Sequence, residues 1–285
     1  MTTIKKKYYL EKFKNKVFVV KIGGEVVASK IVLENILKDV KELVDNGIKV
    51  IFVHGGGIQA DNISERLGFK PQKIDGRRIT TEKDLEVIKM LYGGTLNLEI
   101  LSILKKLAAK GIRVSGLDAN LLEVKLRDKK AFDYGYVGDI SSVNTKILHL
   151  LLNDQYIPIV SPVAATNEGT IVNINADTIA AQIAIHLKAE KLILFTQVDG
   201  ILEEGKLLSS VTINEAKQLI MKGVVKDGMK VKVQNSIDAA ENDVKRIHIL
   251  NGLSEHSLLK EVMTTEGVGT MIISNAEKDI YLNES

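Results

Sequence analysis

Lys21 stands near the end of an apolar run, Val17–Ile22, and Gly23 and Gly24 follow at once. A second apolar run, at 50–53, leads into His54 and then Gly55, Gly56 and Gly57. A third, at 191–195, leads into Thr196-Gln197-Val198-Asp199-Gly200. Glycine loses more backbone freedom on folding than any other residue, so three in a row suggest that something approaches the main chain. Gly-rich turns between a strand and a helix present backbone N–H groups that attract anions. Two such turns and a lysine look like a phosphate cradle. Taken singly, each turn is read equally well as tight strand–helix packing. Neither GxxxxGK[ST] nor GxGxxG occurs, so this is neither a Walker A loop nor a dinucleotide fingerprint.

Other residue types narrow the chemistry. The 285 residues include no cysteine, which excludes disulfides and thiolate chemistry and fits a reducing cytoplasm. The five histidines, at 54, 149, 186, 248 and 256, show no metal-ligand spacing. A net charge of +3 is too small to argue for nucleic acid. No apolar run reaches the ~18–20 residues that cross a bilayer, and the opening residues lack a secretory h-region. Length permits one large domain or two lobes.

The elements that must position these residues alternate. Strand-like runs at 17–22, 50–53, 157–161, 191–195 and 246–250 are mostly continuous and rich in Val and Ile, as when both sheet faces are covered. Helical patterns fill 31–46, 57–67, 82–109, 142–154, 177–188, 214–222 and 232–242. This alternation predicts a mainly parallel sheet with helices on both sides. Residues 123–141 read as a hairpin-rich insert. In such folds ligands sit beyond the carboxyl ends of the strands, where the glycines lie.

Seven segments in fixed order carry a family resemblance. They are VVKIGGE (19–25), VHGGG (53–57), DGRRIT (75–80), GYVGDI (135–140), VNINAD (172–177), DGMKVK (227–232) and EGVGTMI (266–272). Together they resemble the acetylglutamate kinases of the amino-acid kinase superfamily, over about residues 17–273. The resemblance implies an open three-layer αβα sandwich and ATP-dependent phosphorylation of the γ-carboxylate of N-acetyl-L-glutamate, a step of arginine biosynthesis. It implies an N-terminal helical extension (1–16), an N-terminal lobe with the acyl-amino-acid site and dimer contacts (17–178), and a C-terminal lobe for ATP (179–285).

The same resemblance assigns residues. Lys21 and Lys232 would stabilise the transferring phosphoryl group, with Asp177 between them offsetting their repulsion and orienting them. Asp177 also reads as a helix N-cap before Thr178. Gly23, Gly24 and Gly55 would offer backbone N–H groups to phosphate, and Gly56 and Gly57 would approach the substrate, because a Cβ there would hold the phosphoryl group away. Acyl-phosphate formation needs no general base, and His54 reads as structural. The G-x-R-x-T pattern selects Arg78 over Arg77 for the α-carboxylate, a task suited to a bidentate guanidinium. Asn173 and Asn175 match positions that hold the acetyl amide, since asparagine both donates and accepts. Thr196, Gly200, Gly228 and Met229 are the ATP contacts, and Mg2+ accompanies the nucleotide with no dedicated carboxylate cage. Departures occur at Gln197 and at Lys230-Val231. Lys230 competes with Lys232, whose Met-x-x-Lys spacing is kept. Asp118 reads as either a turn residue or part of the substrate wall.

The C-terminal stretch 248–272 resembles the arginine-inhibited branch, which maps His256, Glu261 and Gly267 around L-arginine. A surface helix is the alternative reading. Residues 3–14 predict a short helix, of the kind that in that branch interlocks three dimers into a hexameric ring, and a dimer is the simpler assembly. Alternatives are a non-catalytic arginine-sensing module and a kinase of N-acetyl-2-aminoadipate. Neither nucleic acid nor membrane is expected as a partner.

Overall fold

A computed structural model describes residues 3–74, 76–264 and 267–278. The motif residues Asp75 and Glu266, together with residues 1–2, 265 and 279–285, lie outside these. Helix α1 (Thr3–Lys12) leads into β1 (Val17–Ile22), α2 (Gly24–Val27), α3 (Lys30–Asp45), β2 (Lys49–His54) and α4 (Gly57–Arg66). A hairpin of β3 (Lys73–Ile74) and β4 (Arg77–Arg78) follows. One continuous helix then comprises α5 (Glu82–Met90), a π-helical turn (Leu91–Thr95) and α6 (Leu96–Lys106). Next come β5 (Gly111–Ser115), the hairpin β6 (Leu122–Leu126) and β7 (Gly138–Val143), α7 (Lys146–Asn153) and β8 (Ile157–Ser161). The short pair β9 (Val163–Ala165) and β10 (Ile171–Asn173) precedes α8 (Ala176–His186) and β11 (Lys191–Thr196). After the small hairpin β12 (Leu202–Glu203) and β13 (Lys206–Leu207) come β14 (Ser210–Thr212), α9 (Ile213–Met221) and α10 (Asp227–Glu241). The last described elements are β15 (Arg246–Asn251), α11 (Ser257–Met263) and β16 (Thr270–Ile273).

Eight strands form one sheet in the order β14-β16-β15-β11-β1-β2-β8-β5. All neighbours are parallel except β15 and β16. Side chains alternate across a strand, and the core divides accordingly. Val19, Ile51, Val53, Leu192 and Leu194 face a layer containing Ile179 and Ile183 of α8 and Val233 and Ile237 of α10. Phe18, Val20, Phe52, Ile193 and Phe195 face Leu33, Ile36 and Leu37 of α3, Ile100 of α6 and Leu258 of α11. Both sheet faces are covered, which is why the strands read as continuous apolar runs. The fold is the expected three-layer αβα sandwich.

Two helix boundaries differ from expectation. Residues 138–143 form β7 of the hairpin, including 142 and 143 at the start of the predicted helix, and α7 begins at Lys146. The helix predicted from 232 begins at Asp227, so Gly228, Met229 and Lys232 all lie on α10. The run 82–106 is, among the described residues, long and apolar enough to cross a membrane by length and composition, but half of its most apolar stretch is buried in the core. Leu91, Leu96, Ile100, Ile103 and Leu104 supply that burial.

Candidate functional site

The site is a cavity of about 210 Å3 at the carboxyl ends of β1 and β2. Lys21, Gly23 and Gly24 reach it from β1, Gly55, Gly56 and Gly57 from β2, and Asn173, Asn175 and Asp177 from the link between β10 and α8. Three helices begin at its wall. They are α2 at Gly24, α4 at Gly57 and α8 at Ala176. Gly23 and Gly56 occupy the N-cap positions of α2 and α4 without side-chain caps. Orphan N–H groups and aligned helix dipoles therefore converge on one space, an arrangement that favours anions.

Asp177 joins two lysines from opposite parts of the chain. Its Oδ1 lies 2.6 Å from Lys21 Nζ, and its Oδ2 accepts a hydrogen bond of 3.0 Å from Lys232 Nζ. Burial pushes the Lys21 ammonium down to about 8, Asp177 partly restores it and Lys232 lowers it further. Burial alone would raise Asp177, but the two ammonium groups outweigh it and hold the carboxyl at about 2. Burial also opposes the Lys232 charge, yet Asp177 outweighs it and raises that group. Lys230 is exposed. Asp177 sits in the first turn of α8 and does not cap it. The cap is Asn175, whose Oδ1 accepts from the N–H groups of Asp177 and Thr178 at 2.9 and 3.1 Å.

That cap changes what the asparagines offer. With its Oδ1 engaged, Asn175 presents its amide NH2. Asn173 donates through Nδ2 to Thr80 Oγ1 at 3.2 Å, leaving its Oδ1 as acceptor. Arg78 is nearly buried. It donates to Gly57 O at 3.0 Å and pairs with Asp61 and Asp84. Asp118 belongs to a turn, where its Oδ2 accepts from Ser115 N and Oγ, each at 2.6 Å.

The glycines are not equivalent. A Cβ on Gly24 would lie 2.9 Å from Gly57 N, and one on Gly56 would lie 2.7 Å from Tyr92 Cε1. These two are required by packing within the protein. A Cβ on Gly57 would meet nothing within 4 Å, while those on Gly23 and Gly55 would make ordinary contacts. Of the Gly-rich turns, Gly57 is thus the position where a side chain would enter space without displacing protein.

Sequence reasoning missed the cavity residues Lys73, Tyr92 and Arg127 and set Arg77, which also lines the cavity, aside in favour of Arg78. Tyr92 arrives on the π-helical turn. Burial drives His54 down to about 4, so its neutral ring donates from Nε2 to Asn97 Oδ1 at 3.0 Å. Asn97 Nδ2 in turn donates to Tyr92 O. His54 is structural, as expected. Arg127 comes from the β6–β7 hairpin, where Asp139 and the Tyr134 ring hold it. Neither position has a motif of its own.

The residues expected at ATP do not line this cavity. Thr196 is buried at the end of β11, Gly200 has φ +153° and packs on Thr270, Gly228 is exposed, and Met229 packs on the α8–α10 layer. The C-terminal set is divided. Gly267 adjoins Glu261, with a Cβ there falling 3.2 Å from Oε2. His256 is not joined to them, because its Nδ1 lies 2.7 Å from Asp39 Oδ1 on α3. Glu261 is buried, which overturns the surface-helix reading. Its Oε1 accepts from His248 Nδ1 at 2.7 Å and its Oε2 from Val268 N at 2.6 Å. Lys191 Nζ lies 3.1 Å from the other ring nitrogen of His248.

An αβα sandwich with buried cations and helix N-termini around a strand-end cavity defines a protein that handles small anionic ligands. Residues 16–251 match the amino acid kinase family. An acetylglutamate kinase of Kosmotoga olearia is 41% identical over 93% of both chains. One from Aquifex aeolicus is 38% identical over 93% of this chain and 94% of its own. Among solved structures, N-acetylglutamate synthase from Neisseria gonorrhoeae, complexed with coenzyme A and N-acetyl-glutamate, superposes with a TM-score of 0.87 at 25% identity. That match covers 95% of this chain and 62% of the synthase, which has also been solved with coenzyme A and L-arginine. The chain belongs to the amino acid kinase family and, within it, to the acetylglutamate kinases.

Proposed function

We infer that the protein transfers the γ-phosphoryl group of ATP to the γ-carboxylate of N-acetyl-L-glutamate, within arginine biosynthesis. A carboxylate oxygen forms the new bond to phosphorus. The bond from γ-phosphorus to the β,γ-bridging oxygen breaks, and ADP leaves with its electron pair. The ionised carboxylate is already a nucleophile, so the reaction asks the protein for position and positive charge. The observation that carries this reading is the buried Lys21–Asp177–Lys232 set beside three helix N-termini.

In this reading Lys21 and Lys232 neutralise charge on the transferring group, and Asp177 keeps them close. The N–H groups around Gly23, Gly24, Gly55, Gly56 and Gly57 contact the phosphoryl group and the attacked carboxylate. Asn175 donates to the acetyl carbonyl, Asn173 accepts from the amide N–H, and Arg78 orients the α-carboxylate. Residues 17–178 act as the acyl lobe and 179–285 as the nucleotide lobe, with Thr196, Gly200, Gly228 and Met229 toward ATP. Mg2+ enters with the nucleotide, held by phosphate oxygens and water, since Asp177 is already shared by two lysines.

L-Arginine is the proposed inhibitor. Glu261 and Gly267 remain its candidate contacts, with His248 in place of His256, because His248 is the histidine that touches Glu261. A homodimer is the proposed assembly. ADP release with Mg-ATP and N-acetyl-L-glutamate, with and without arginine, tests the reading, with N-acetyl-2-aminoadipate, aspartate and carbamate as controls. We expect turnover on N-acetyl-L-glutamate alone among these acids. Arginine binding with no ADP from any acid would replace the kinase with a sensor.

A further inference from the structure

Tyr92 lines the cavity beside Gly56, where its ring leaves no room for a second side chain. It is 5% exposed. Two supports fix it. It belongs to the π-helical turn at Leu91–Thr95, and such turns inside helices are frequent at functional positions. Asn97 holds the Tyr92 carbonyl and is itself held by His54, whose ring meets the Tyr92 ring edge-on at 5.9 Å. His54 is the last residue of β2. The strand that leads into Gly55, Gly56 and Gly57 therefore also sets the position of Tyr92.

The hydroxyl is the part of Tyr92 that the fold does not use. Among the described residues nothing accepts its proton, and its oxygen is open to the cavity. Buried polar groups are nearly always partnered, because an unmade hydrogen bond is costly. Burial pushes the phenol up to about 12; Asp61 adds to this, and Arg78 and the Gly56 main chain oppose it. The group is therefore a neutral donor at any pH where the protein works. The same neighbours locate it, next to Gly56 and within the field of Arg78 and Asp61. In the kinase reading above, on which this inference rests, Arg78 takes the α-carboxylate and the two asparagines take the acetamide. The γ-carboxylate is left with main-chain N–H groups, those around Gly56 among them. We propose that the Tyr92 hydroxyl donates a hydrogen bond to the γ-carboxylate oxygen that does not attack. One oxygen is then held while the other is free to bond phosphorus, and a symmetric carboxylate becomes an oriented nucleophile. The proton stays on the phenol throughout.

Tyr92→Phe removes the hydroxyl and keeps the ring. ADP release gives kcat and KM for N-acetyl-L-glutamate and KM for ATP. N-acetyl-L-norvaline, which keeps the α-carboxylate and the acetamide but ends in a methyl group, serves as a competitor. We expect kcat/KM for N-acetyl-L-glutamate to fall about 10- to 100-fold, the range for a hydrogen bond to a charged group. KM for ATP should be unchanged. The inhibition constant of N-acetyl-L-norvaline should also hold, since that molecule offers the hydroxyl no carboxylate. Melting temperature should stay where it is, because the proton has no acceptor in the protein to lose. An unchanged kcat/KM would overturn the assignment. Equal weakening of N-acetyl-L-norvaline would overturn it too, by marking a change in cavity shape instead. No ADP from the wild type with N-acetyl-L-glutamate would remove the kinase reading and this inference with it, whereas turnover that Tyr92→Phe leaves intact would remove this inference alone.

Discussion

Lys21 and Lys232 reach the same carboxylate, yet their shifts are opposite: burial prevails at Lys21 and lowers it, while Asp177 prevails over burial at Lys232 and raises it. The catalytic consequence is an alkaline limit. In the free enzyme Lys21 loses its proton near pH 8, so kcat/KM should fall above that pH. The limb in kcat should sit higher, because bound phosphates favour the ammonium. Lys21→Arg keeps the charge and should remove the limb from a pH–rate profile. Lys21→Met should lower kcat by about 10²–10³, the usual cost of one electrostatic donor, and normal turnover would dismiss the role. The same groups act on stability with opposite signs. Lys21 binds its proton more weakly in the fold than in the unfolded chain, so its burial cost is present below about pH 8 and is relieved toward 10.5. Asp177 stabilises above pH 3.8, and that contribution is lost as pH falls toward about 2.

Among elements, the start of α4 allows a paired experiment. Gly56→Ala puts a methyl group 2.7 Å from Tyr92 Cε1, an overpacking expected to cost about 1–3 kcal/mol. Gly57→Ala meets nothing within 4 Å, so melting temperature should hold while KM for N-acetyl-L-glutamate rises. Equal effects of the two substitutions on melting temperature would reject this distinction. The elements also show what a sequence can reveal. Strands covered on both faces are continuous apolar runs, and β1, β2, β8, β11 and β15 were legible for that reason. The strand β5, with sequence GIRVS, is short and carries a charge, which hides it. The start of α10 was hidden because Asp-Gly-Met-Lys has no apolar period and Lys226 provides no side-chain cap. In the site, Lys21, Asp177 and Lys232 were readable because each stands in a segment with a recognisable pattern. Arg127 and Tyr92 were not, because a hairpin and a π-helical turn deliver them from segments without one.

Over the whole molecule, β1 is one of the two central strands of the sheet, paired with β2 on one edge and β11 on the other. Phe18 on β1 is fully buried, with its ring 5.3 Å from that of Phe13. Phe18→Ala should cost about 3–5 kcal/mol. Urea melts would check this, and an unchanged midpoint would contradict the central placement. The position of β1 also sets an order of events during synthesis. Its β2 partner is made soon after it, but Phe18 pairs with Lys191, about 170 residues later. At ~5–20 residues per second the ribosome needs roughly 8–35 s to supply that partner. For that interval one edge of an apolar strand has nothing to bond, and the nascent chain passes through a stage open to wrong pairing and to chaperone capture.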